Sequence, residues 1–72
     1  MYGYLEPKGA LPLEIVKLQY FEGYFYVTHR LKIYNKQVTN KWDLCHGQIP
    51  YTDTIWDDLV TLQAYLKYKK LL

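Results

Sequence analysis

Between Leu13 and Cys45 apolar and polar side chains alternate, and the stretch is rich in β-branched and aromatic residues. Alternation with a period of two is the pattern of half-buried strands. Glu22-Gly23 reads as a two-residue hairpin turn, because glycine accepts a positive φ without steric cost. Counting outward from it pairs Phe21 with Tyr24, Tyr20 with Phe25, Gln19 with Tyr26, Leu18 with Val27 and Val16 with His29. Directly paired residues share a face. One face then collects Val16, Leu18, Tyr20, Phe25, Val27, His29, Leu31 and Ile33. The other collects Lys17, Gln19, Phe21, Tyr24, Tyr26, Thr28, Arg30, Lys32 and Tyr34. A slip of one residue would exchange the faces of one strand, so the hydrophobic pattern selects this register.

A second turn at Asn35-Lys36 extends the count, pairing Ile33 with Val38, Leu31 with Asn40, His29 with Trp42 and Val27 with Leu44. Val38, Trp42 and Leu44 join the apolar face, while Lys41 and Asp43 join the other. Asn40 breaks the pattern and marks a bulge or an edge. Lys36 and Lys41 suit an edge strand that must not pair with strangers.

From Thr54 the spacing becomes helical. Ile55, Leu59, Leu62 and Leu66 form one stripe, which predicts a helix over 54–70 with Asp53 or Thr54 as its N-cap. Thr54-Ile55-Trp56-Asp57 approximates a capping box. Asp57 and Asp58 near its start and Lys67, Lys69 and Lys70 near its end complement the helix dipole. The stripe needs a partner, and the apolar sheet face offers one. The expected fold is α+β: a three-stranded antiparallel meander over 13–45 with one C-terminal helix packed on one face. Residues 1–12 read as an irregular arm with a short extended piece at Tyr2–Leu5, and 46–53 as a loop. Leu18, Val27, Leu31, Ile55, Leu59, Leu62 and Leu66 are the expected core. Trp56 and Val60 lie off the stripe and are expected to pack beneath the arm or the 46–53 loop, an exposed partner patch being the alternative.

Size and composition remove whole classes of function. A chain of 72 residues makes a single small domain, too short for a dinucleotide-binding fold or a solenoid. It holds no serine and no glycine-rich phosphate loop, which excludes a serine nucleophile and a P-loop. Its single cysteine, Cys45, cannot form an internal disulfide. The N-terminal residues lack a signal-peptide pattern, and the apolar runs are too short to span a bilayer. A cytoplasmic protein without membrane association is the expectation.

Candidate chemistry is sparse. Asp43, Cys45, His46 and His29 are the residues with metal-ligand character, but paired ligands at zinc-site spacing are missing, so no metal or cofactor is expected. Cys45 lies at a strand end and reads as a structural thiol. Asp57 and Asp58 diverge by about 100° around a helix, so they cannot act on one atom. No enzymatic activity is expected.

The sheet face opposite the helix is the candidate site. It brings Phe21, Tyr24, Tyr26 and Tyr34 beside Lys17, Arg30, Lys32 and Lys41, with Asp43 as the one opposing charge. It is exposed unless the arm folds back over it through Tyr2, Tyr4 and Leu5. Tyrosine and arginine are enriched at interface hot spots. The first expectation is therefore a small interaction module, an adaptor or inhibitor of a larger protein, with homodimer formation included. Small proteins of phages and other mobile elements that block host machinery fit that description. The alternative is a nucleic-acid-binding protein whose rings stack bases while its cations meet phosphates. The net charge of +2 is modest for that role, although residues 13–45 carry five basic and three acidic groups.

The order strand, strand, strand, helix, with Asn40-Lys41-Trp42-Asp43 closing the third strand, resembles chromodomains, whose corresponding segment reads Asn-x-Trp-Glu. Where that family carries a cage tryptophan in its second strand, this chain has Ile33, so the resemblance does not extend to methyl-lysine binding.

Overall fold

The computed structural model describes residues 1–39, 41–49 and 55–72, the side chain of Ile49 apart. The fold is a curled antiparallel sheet carrying one C-terminal helix, α+β as the pattern predicts, with more strands than three. The strands are β1 (Tyr2–Leu5), β2 (Leu13–Phe21), β3 (Tyr24–Tyr34), β4 (Gln37–Val38) and β5 (Asp43–Ile49), followed by α1 (Leu59–Tyr68). β1 pairs with β2, and β2 with β3. The other edge of β3 is shared by β4 near its end and β5 along its middle.

Both predicted turns form. Glu22 (φ 49) and Gly23 (φ 84) close the first hairpin, and Asn35 (φ 48) and Lys36 (φ 62) the second. Positive φ at both central residues is the turn geometry whose twist matches that of the flanking strands. Close to each turn the register is the one counted from sequence, from Phe21↔Tyr24 through Leu18↔Val27 and at Ile33↔Val38.

Beyond Val27 the count shifts. Lys17 pairs with His29 and Val16 with Arg30, so Thr28 is an extra residue on β3. Its hydroxyl lies 3.1 Å from His29 Nδ1, within hydrogen-bond distance. This bulge corrects the predicted Val16–His29 pair and the single apolar face built on it. Past Thr28 the alternation of β3 is inverted. Two clusters result, on opposite faces. Leu13, Ile15, Leu31 and Ile33 meet Leu62 and Leu66 of the helix. Val16, Leu18 and Val27 form the second cluster, with Phe25, Cys45 and Ile55 packed against it. Leu18, Val27, Leu31, Leu62 and Leu66 are buried as expected, while Ile55 and Leu59 are half-buried. Leu13, Ile15, Val16 and Ile33, which are not in the expected core, are buried too, Ile15 fully.

The ends of the sheet differ from the predicted arm, third strand and loop. The extended piece expected at Tyr2–Leu5 forms, but as a strand of the sheet instead of part of an arm, with Tyr2 opposite Lys17 and Leu5 opposite Glu14. The third strand is split: β4 is two residues long, and β5 restarts at Asp43 in a shifted register that places Leu44, not Trp42, opposite His29. β5 also takes in residues 46–49 of the expected loop. Asn40 and the remaining loop residues, with Asp53 and Thr54, lie outside the described residues.

The helix starts later than its stripe suggested. Trp56 is drawn to β1, donating its N–H to Tyr2 O (3.0 Å) and accepting the Tyr2 N–H (2.8 Å). An extended residue so paired cannot be helical, and Asp58 becomes the N-cap, accepting the Val60 N–H at 3.0 Å. The same pairing returns the chain after β5 to the first strand. At the other end Lys70 N–H donates to Lys67 O and Leu71 N–H to Leu66 O, a Schellman closure with Lys70 at φ 62.

Candidate functional site

The end of the β2–β3 hairpin projects past its neighbours. β1 reaches Lys17 on one side, and β5 pairs with Phe25 through Arg30 on the other. Residues 20–24 thus have no adjacent strand among the described residues. Here Tyr20, Phe21 and Tyr24 are 55, 58 and 56% exposed, and Tyr26 behind them is 38% exposed. Tyr20 and Phe25 pair across the strands on one side, their ring centroids 5.1 Å apart. Phe21 and Tyr24 pair on the other. Aromatic cross-strand pairs stiffen a hairpin, so the rings stand on a fixed support.

The eight residues singled out in the sequence do not share one face. Lys17, Phe21, Tyr24 and Tyr26 lie on the face that farther along the sheet carries the helix. Arg30, Lys32 and Tyr34 follow the bulge and lie on the opposite face. Lys41 is in the connection between β4 and β5. Tyr20 belongs to the exposed group, although the counted register placed it on the apolar face. The signal in the sequence was its closeness to the turn, where a hairpin outruns its neighbouring strands.

The bulge also separates Phe21, Tyr24 and Tyr26 from Arg30 and Lys32. Arg30 Nη1 lies 3.8 Å from Glu14 Oε1. The Lys17 ammonium sits 4.5 Å from the centre of the Trp42 ring, a cation–π contact. Lys69 Nζ donates to Glu6 Oε1 (3.2 Å) and Tyr4 Oη (3.4 Å) and lies over the Tyr4 and Tyr65 rings. Its hydrogen bond to Glu6, then that to Tyr4, raises the Lys69 pKa above the usual lysine range. Burial raises that of the Tyr4 hydroxyl, and a hydrogen bond with Tyr65 adds to it. Tyr4, Tyr65 and Trp56 form a cluster with centroids 5.1 to 6.0 Å apart, which pins the helix to β1. Trp56 therefore packs beneath the N-terminal residues, as expected, while Val60 is exposed.

No group of three histidine, cysteine, aspartate or glutamate side chains converges among the described residues. Cys45 is half-buried against the Val16–Leu18–Val27 cluster. No helix of the described residues is long and apolar enough to cross a membrane. Comparison with protein-family models, curated proteins and solved structures finds no match to this chain.

Proposed function

We propose that this protein is a non-enzymatic interaction module that docks on a larger protein through the free end of its β2–β3 hairpin. The observation that supports this is the exposure of Tyr20, Phe21 and Tyr24 together, on both sides of one hairpin end. Rings of this size bury large area at small entropic cost, which is why tyrosine is frequent at hot spots. The hairpin presents them already ordered, so little freedom is lost on binding. Adaptor and inhibitor roles both follow from such a surface.

A protein partner is favoured over nucleic acid by the placement of charge. Single-strand-binding surfaces interleave rings with phosphate-binding cations. Here Arg30 and Lys32 lie on the face away from Phe21 and Tyr24, and Lys17 is held over Trp42. Arg30 and Lys32 share Tyr20's face only at Val16 and Glu14, four and six residues along β2 from it. Affinity capture from lysate, with and without nuclease, tests this reading when wild type is compared with a folded Phe21→Ala, Tyr24→Ala variant. A protein retained by the wild type after nuclease and lost by the variant is the expected result. Retention by both, or recovery of nucleic acid alone, contradicts it.

A further inference from the structure

The face opposite the helix contains a channel that the hairpin end does not use. One chamber, of about 360 Å³, lies between Leu5, Leu11 and Pro12 on one side and Arg30 and Lys32 on the other. A second, of about 240 Å³, lies over Val16 and Val27, with Cys45 and Gly47 on its far wall. Leu5, Glu14 and Arg30 border both, so the chambers form one channel divided at Arg30. An apolar cavity of ~150 Å³ already accepts benzene, so each chamber is large enough for an apolar side chain.

Arg30 is under-used where it stands. Its Nε is buried and has no hydrogen-bond partner. Its ion pair with Glu14, at 3.8 Å, is wider than a hydrogen bond. The Arg30 side chain as a whole is 43% exposed and so open to a ligand, and a carboxylate takes two guanidinium donors in parallel. Lys8 and Lys32 line the same chamber, while the Glu6 carboxylate there is drawn off by Lys69. The remaining charge facing the channel is positive, with Glu14 as its counterweight. Among the described residues neither chamber is lined by Phe, Tyr or Trp, so base stacking has no support from them.

We infer that this channel binds an extended acidic segment of a protein partner, with a carboxylate on Arg30 and apolar side chains in the two chambers. The site is separate from the hairpin end and stands or falls independently of it. Side chains two apart share a face of an extended chain, so the probe is acetyl-Leu-Ala-Asp-Ala-Leu-amide, titrated into the ¹⁵N-labelled protein, with its Asn analogue as the neutral control. The Asp peptide is expected to shift the amides of Val16, Val27 and Arg30 and to weaken as salt rises. Arg30→Gln should weaken it about tenfold or more, as loss of a charged hydrogen bond does. Glu14→Gln should strengthen it, because a competing carboxylate is removed. The Phe21→Ala, Tyr24→Ala variant should bind the peptide as the wild type does. Equal binding of the Asn peptide, no shifts at the channel, or unchanged binding by a folded Glu14→Gln variant would overturn the inference.

Discussion

Val27 and Leu31 stand four residues apart on one strand, yet their side chains enter opposite clusters, Val27 beside Leu18 and Leu31 beneath the helix. A regular strand returns to the same face every second residue, so they would share a face without an intervening irregularity. Thr28 supplies it. The bulge lets one long strand serve both faces of a curled sheet, and it decides which side Arg30 and Lys32 occupy.

Deleting Thr28 should therefore be far more damaging than truncating it. Without the extra residue, either His29, Leu31 and Ile33 leave the helix face or Phe25 and Val27 leave the second cluster. The deletion variant is expected to lose its cooperative unfolding transition by circular dichroism, whereas Thr28→Ala should keep it. A deletion variant as stable as Thr28→Ala would mean that the two clusters do not depend on the bulge.

What could be read in the sequence follows from how local each determinant is. The turns at Glu22-Gly23 and Asn35-Lys36 declare themselves through residue type, and the pairs next to them follow by counting. The bulge has no comparable signal: continuing the count past Thr28 sorts Val16, His29 and Leu31 onto one plausible apolar face. The helix start is hidden for a related reason. Thr54 and Asp58 are both acceptable caps, and a long-range pairing of Trp56 with Tyr2 favours the later one. Tyr24, Tyr26 and Tyr34 are exposed as the alternation implies and Tyr20 against it, but grouping Tyr24 and Tyr26 with Arg30 and Lys32 requires an uninterrupted register.

Two non-glycine residues in left-handed conformations offer a direct check on the turns. Lys36 (φ 62) and Lys70 (φ 62) sit where glycine is the least strained residue. Lys36→Gly and Lys70→Gly should each stabilise the fold by about 1 kcal/mol, since the left-handed penalty exceeds glycine's extra chain entropy. Urea midpoints measure this. A loss of stability in either variant would contradict the turn or cap geometry.

Alkaline pH should loosen the contact between helix and β1. The Lys69 pKa is raised, chiefly by Glu6, so its contribution is complete below the ordinary lysine value near ~10.4 and is lost as pH climbs toward the folded-state value. Tyr4 acts with the same sign: its folded-state pKa is raised by burial, so the unfolded chain releases that proton first, above pH ~10. The Lys69 and Tyr4 contributions should hold up to about pH 9 and be lost above about pH 10. Lys69→Met should fall less steeply than the wild type there. Identical pH profiles for the two proteins would remove Lys69 from the account.

The central claim is that the hairpin end carries the binding energy, and it is tested most directly by calorimetric titration of the partner that the wild type retains. Tyr24→Ala and Phe21→Ala are compared with wild type and with Lys67→Ala, an exposed change on α1. Tyr24→Ala is expected to cost about 2 kcal/mol or more, roughly a thirtyfold loss of affinity, while Lys67→Ala stays near wild type. Wild-type affinity in folded Tyr24→Ala and Phe21→Ala variants would contradict the proposal and move the interface elsewhere on the molecule.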